Sequence, residues 1–242
     1  LFVLLLTGVT FAYADNAPYE STYQPLPYTN TIFRNANIYD GDGNEFQNTD
    51  LFIKDGKIIA IGKDLPGSSD FLELDASNKW ITPGIIDIHS HMGVYPAPSV
   101  RTSADGNEAT SPVTADVWAE HSIWVQDPQF ALALKGGVTT FHVLPGSANL
   151  IGGRGVTAKN LQRNTINSMK YPNAPHSLKM ACGENPKRVY GNRNQAPSTR
   201  MGNIAGYRKS WIKAEAYLSR LDEYEAKSDE AKEIGYKPTR DL

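Results

Sequence analysis

The chain has 242 residues, 40% hydrophobic and 21% charged, the make-up of a folded globular protein with one large domain or two modest ones. Its 24 basic side chains against 26 acidic ones leave a formal charge of -2, and no run rich in Lys and Arg occurs, which argues against nucleic acid as a partner. A lone cysteine, Cys182, excludes an intrachain disulfide, so stability must come from a packed core.

Residues 1–6 are almost wholly apolar, and the stretch closes on the small-x-small pattern Ala12-Tyr13-Ala14. This reads as the apolar core and cleavage site of a secretory signal peptide over residues 1–14, with its charged start missing and the mature protein beginning near Asp15. The apolar part is too short to span roughly 30 Å of hydrocarbon. The expectation is export to the periplasm or beyond, without stable membrane insertion.

Residues 15–30, rich in Pro and Tyr and without sustained period, read as an extended lead-in. From Thr31 to Thr82 the texture is that of a small antiparallel β unit. Short β-prone runs at 31–39, 51–53, 57–61 and 71–74 are separated by turn formers at 40–43, Asp55-Gly56 and Pro66-Gly67. Asp55-Gly56 between two apolar runs predicts a tight hairpin, because both central residues of that turn need positive φ.

After Pro83-Gly84 strands alternate with helices, the pattern of a parallel sheet or barrel. Residues 85–91 form an apolar strand, Asp127-Pro128 caps a helix ending at Gly136, and 137–144 form the next strand. A third strand is expected at 178–182. Thr199 caps a long helix to about Ala226, with Met201, Ile204, Trp211, Leu218 and Leu221 along one stripe.

The sharpest chemical signal is Asp87-Ile88-His89-Ser90-His91. On a strand, side chains alternate, so His89 and His91 share one face while Ile86 and Ile88 pack on the other. Two imidazoles at a strand's end suit a divalent cation, zinc first, with iron or nickel also compatible. An isolated His-x-His more often fills polar space, so the surrounding letters decide.

Lys79-Trp80-Ile81-Thr82-Pro83-Gly84-Ile85-Ile86-Asp87-Ile88-His89-Ser90-His91 resembles the first-strand signature of the amidohydrolase superfamily, and residues 55–62 resemble its N-terminal β-sandwich segment. Gly137-Val138-Thr139-Thr140, Leu150-Ile151-Gly152-Gly153-Arg154-Gly155 and residues 183–191 are similar to a branch related to imidazolonepropionase. The resemblance implies an α/β protein with a small β-sandwich segment at 31–82 and, over 83–242, the N-terminal part of a (β/α)8 TIM-type barrel. It implies one or two divalent ions at the C-terminal ends of the strands, with His89 and His91 as ligands. The implied activity is hydrolysis of an amide or cyclic amide bond in a small molecule or dipeptide.

Residues 83–242 are fewer than the roughly 250 of a full barrel, so the later ligands and a proton-handling aspartate are expected beyond residue 242, and the fragment alone is expected to be inactive. Relatives place a carboxylate or carboxylated lysine between two metals. Glu184, after the third strand, is the candidate, with a turn pairing to Lys187 or Arg188 as the equal alternative. Lys179 is the second candidate for that bridge. His142, near the end of the second strand, reads as a structural histidine or a substrate contact. Residues 146–155 read as a glycine-rich loop that is plain and flexible, or that brings Arg154 to a substrate carboxylate. A non-catalytic exported binding protein on a degenerate barrel is the rival reading, and a homo-oligomer is compatible with either.

Overall fold

The computed structural model describes residues 19–238, so the expected signal peptide lies outside the described residues. The N-terminal unit is one mixed sheet of five strands: β1 (Thr31–Tyr39), β2 (Glu45–Lys54), β3 (Lys57–Gly62), β4 (Leu72–Asp75) and β5 (Trp80–Ile81). β1 is central, antiparallel to β2 and parallel to β4 and β5. The turn between β2 and β3 has φ of 51° at Asp55 and 73° at Gly56, the double positive geometry that an Asp-Gly pair accepts. Ala36, Ile38, Leu51 and Ala76 form its small core. Arg34 reaches out of β1 to Asp50 at 2.7 Å and Glu73 at 2.9 Å, tying β1, β2 and β4 by charge as well as by the ladder. A second sheet packed on this one, as a sandwich would have, is not seen among the described residues.

The second unit begins with β6 (Ile85–Ser90), α1 (Pro128–Lys135) and β7 (Val138–Val143), a strand–helix–strand unit whose strands pair in parallel. Asp127 starts α1 as expected: its carboxylate accepts the Gln129 N–H at 3.0 Å, and Pro128 needs no partner at the first helical position. The same carboxylate accepts the N–H groups of Gly93 at 2.9 Å and Ala97 at 3.2 Å, so the cap also secures the loop leaving β6. Phe130 of α1 stacks on Phe141 of β7 in a core with Val94, Val143, Val156, Ala158 and Met169.

The glycine-rich stretch is not a plain loop. Its second half forms β8 (Ile151–Arg154), and β9 (Val156–Lys159) follows directly after Gly155; β9 runs antiparallel to β7, and β8 runs antiparallel to β10 (Leu178–Met180). Gly153 sits at φ 105°, and a Cβ there would lie 2.5 Å from the Val117 carbonyl oxygen, so this strand needs glycine where the sequence suggests flexibility. Helices α2 (Glu184–Gly191), α3 (Arg200–Glu225) and α4 (Asp229–Ile234) follow.

Two packing expectations are corrected. Ile86 and Ile88 do not pack away from the histidines against other residues: they are 62% and 77% exposed, because β6 is an edge strand with no element covering it among the described residues. Nor does the apolar stripe of α3 dock the helix, since Met201, Ile204, Trp211 and Leu218 are exposed. Polar groups dock it instead: buried Asn203 donates to the carbonyls of Cys182 and Gly183, and the Tyr207 hydroxyl donates to that of Ala181 at 2.5 Å. No described helix is long and apolar enough to cross a membrane.

Candidate metal centre

β6 opposes β7 with a break in register: Asp87 pairs with Phe141 and Ser90 with Val143, so three steps on one strand face two on the other. The bulge falls at His89, whose N–H bonds to the Asp87 carboxylate at 3.0 Å. Ser90 then turns into the core beside Val143, and its neighbours His89 and His91 turn to the opposite side. Their rings meet edge to face with centroids 5.3 Å apart.

Each imidazole is held in a definite way. His91 Nδ1 lies 2.8 Å from the Leu144 carbonyl oxygen; a carbonyl can only accept, so in the neutral ring the proton sits on Nδ1 and the lone pair on Nε2. His89 Nε2 lies 3.0 Å from Lys179 Nζ. The lysine's charge, then burial and His91, hold His89 below the ordinary histidine pKa. Burial also lowers Lys179, a side chain 8% exposed at the middle of β10. Two imidazoles with free or freeable lone pairs and an amine driven toward neutrality are a nitrogen donor set that fits a divalent cation.

Glu184 is not brought to this set. It opens α2 and pairs with Arg188 one turn on, at 2.8 Å, with both side chains exposed, which is the turn-pairing alternative of the sequence reading. Among the described residues no three His, Cys, Asp or Glu side chains cluster, so lysine is the third group beside the histidines. Sequence order ranked Glu184 first because it follows the strand. What identifies Lys179 is its place within the strand, with a side chain directed to the histidine face.

His142 faces the same side, between core residues Phe141 and Val143. Both its nitrogens are taken: Nδ1 by the Thr157 hydroxyl at 2.9 Å and Nε2 by the Ser177 hydroxyl at 2.6 Å. Burial, then the charges of His176 and His89, lower its pKa. Neither Thr157, in β9, nor Ser177, just before β10, stood out in the sequence, since lone hydroxyl residues are common. The Arg154 guanidinium lies 4.5 Å over the Trp118 ring, which meets His176 edge-on. A cavity of about 470 Å³ beside the loop after β6 is lined by Asp105, Asn107, Glu108 and Trp118 among others, but not by His89, His91 or Lys179.

No family model matches the chain. The amidohydrolase tasK of Hapsidospora irregularis is 34% identical over 198 residues, covering 77% of this chain and 20% of that protein. The allantoinase of Escherichia coli O1:K1 / APEC is 45% identical over 102 residues, 42% of this chain and 17% of the relative. Among solved structures, the amidohydrolase from Thermotoga maritima MSB8 matches with a TM-score of 0.73 at 36% identity, over 84% of this chain and 54% of that one. The chain belongs to the amidohydrolase superfamily. This amidohydrolase chain spans about a fifth of tasK and about half of the Thermotoga protein. The likeness to the solved structure covers most of the described residues, the histidine strand and its lysine partner belonging to one mixed α/β unit.

Proposed function

We propose that the full-length protein hydrolyses a carbon–nitrogen bond, an amide or cyclic amide in a small molecule or dipeptide, at a divalent centre held by His89, His91 and Lys179. The observation that carries this reading is the buried Lys179 amine 3.0 Å from His89 Nε2, with His91 edge to face on the same histidine. The superfamily supports the coarse activity, hydrolysis at carbon–nitrogen bonds by a metal-dependent enzyme, and zinc is the first candidate by ligand type. We read residues 31–82 as part of the β-sandwich segment and 83–242 as part of a (β/α)8 barrel. We also assign the protein to an exported pool, on the pattern of residues 1–14.

His89, His91 and Lys179 would hold a divalent ion, which when bound would supply Lewis acidity to activate water near neutral pH and polarise the scissile carbonyl. The chain's own part is to prepare the ligands. His91 presents Nε2 because the Leu144 carbonyl holds its other nitrogen, and the Asp87 carboxylate, which accepts the His89 N–H, braces the bulge that turns His89 to the same side. Lys179, whose burial lowers its pKa and so eases loss of its proton, would supply the third donor, as the amine or, carboxylated, as a carboxylate.

In the full-length protein, substituting both His89 and His91 with Ala should lower amide hydrolysis at least about 100-fold and remove bound metal. Hydrolysis that persists in the double variant and resists chelators would reject the reading.

A further inference from the structure

β10 offers Lys179 little backbone support. It is three residues long, and its pairing with β8 breaks register between Lys179 and Met180. Just before it, however, the chain is pinned by side chains. The Ser177 hydroxyl lies 2.6 Å from His142 Nε2, the Gly155 N–H donates to the Ser177 carbonyl at 3.0 Å, and His176 Nδ1 lies 2.8 Å from the Gly155 carbonyl oxygen. His142 is itself oriented from behind: it is the cross-strand partner of Thr157, whose hydroxyl lies 2.9 Å from Nδ1.

We propose that His142 is a positioning residue whose clamp on Ser177 sets where Lys179 leaves the sheet and so holds its amine at the histidine pair. Ser177 directly precedes β10, two residues before Lys179, and its hydroxyl meets His142 as the lysine amine meets His89, so a fixed serine fixes the lysine's point of departure. The junction of β8 and β9 leaves room for the clamp only because residue 155 is glycine. A Cβ there would lie 2.6 Å from Ser177 Oγ and 2.8 Å from His142 Nε2. This explains a histidine whose two nitrogens are both spent inside the protein, on the very face that carries the proposed ligands.

The inference rests on the proposed centre, and the test separates the two. Apo protein is titrated with Co²⁺ alone, following the visible ligand-field bands, with thermal midpoints recorded in parallel. His142→Leu, Ser177→Ala and Gly155→Ala should each weaken cobalt binding about 10-fold or more and shift the bands, with midpoints that still show a folded protein. His142→Gln, which can still reach Ser177, should recover most of the affinity. If His142→Leu fails to fold, Ser177→Ala, which removes one oxygen, decides alone. Wild-type affinity and bands in Ser177→Ala and Gly155→Ala, while Lys179→Ala and His89→Ala weaken binding, would overturn the positioning role but leave the centre standing. Unchanged cobalt binding in Lys179→Ala and His89→Ala would overturn the centre itself.

Discussion

Asp50 shows how much one side chain can carry in a small sheet. Burial pushes its carboxyl pKa up, but the Asn35 and Leu65 N–H groups and the Arg34 guanidinium outweigh it and hold the group below the ordinary aspartate value. A depressed folded pKa means the unfolded chain binds the proton more readily, so this stabilisation is present above the unfolded value near 4 and is lost as pH falls through the lower folded one. The stability of the N-terminal sheet should therefore drop below about pH 4, and Asp50→Asn should flatten that acid limb in urea melts taken across pH. Asp50→Ala, which strands Arg34 and two N–H groups, should cost on the order of 3 kcal/mol at neutral pH. A loss under 0.5 kcal/mol would show the pair is not structural.

At the scale of elements, α1 depends on a cap that does two tasks. Asp127→Ala removes the helix N-cap and leaves the Gly93 and Ala97 N–H groups without their acceptor, so a loss of about 2 kcal/mol or more is expected. Asp127→Asn, which keeps one oxygen acceptor, should lose less; equal losses in chemical denaturation would show that the loop contacts do not matter. Elements whose pattern is local were legible in the sequence. β1, α1 and α3 begin and end within a residue or two of their propensity and capping signals. β8 and β9 were not legible, because Gly152, Gly153 and Gly155 read as flexibility. Their strand conformation is imposed by the partners β7 and β10 and by the close approach of Val117.

Over the whole molecule, apolar surface is unevenly covered. β6 is an edge strand with Ile85, Ile86 and Ile88 exposed, and Leu178 and Met180 of β10 and the apolar stripe of α3 are exposed as well. Surface of this kind invites association through unpaired strand edges and apolar contact. The chain of residues 15–242 should accordingly bind a hydrophobic dye and self-associate with rising concentration in sedimentation velocity. A dye-silent monomer at high concentration would contradict this.

Residue spacing alone determined the histidine pair, the hairpin at Asp55-Gly56 and the caps, because each depends on a repeat of two residues, on positive φ or on an unpaired N–H within a few residues. Only the tertiary structure decided that Lys179 rather than Glu184 meets His89, and that His142 is spent on Thr157 and Ser177. Those contacts join residues 15 to 90 positions apart. Whether two such groups meet depends on how strands are ordered and registered in the sheet, which no local pattern encodes.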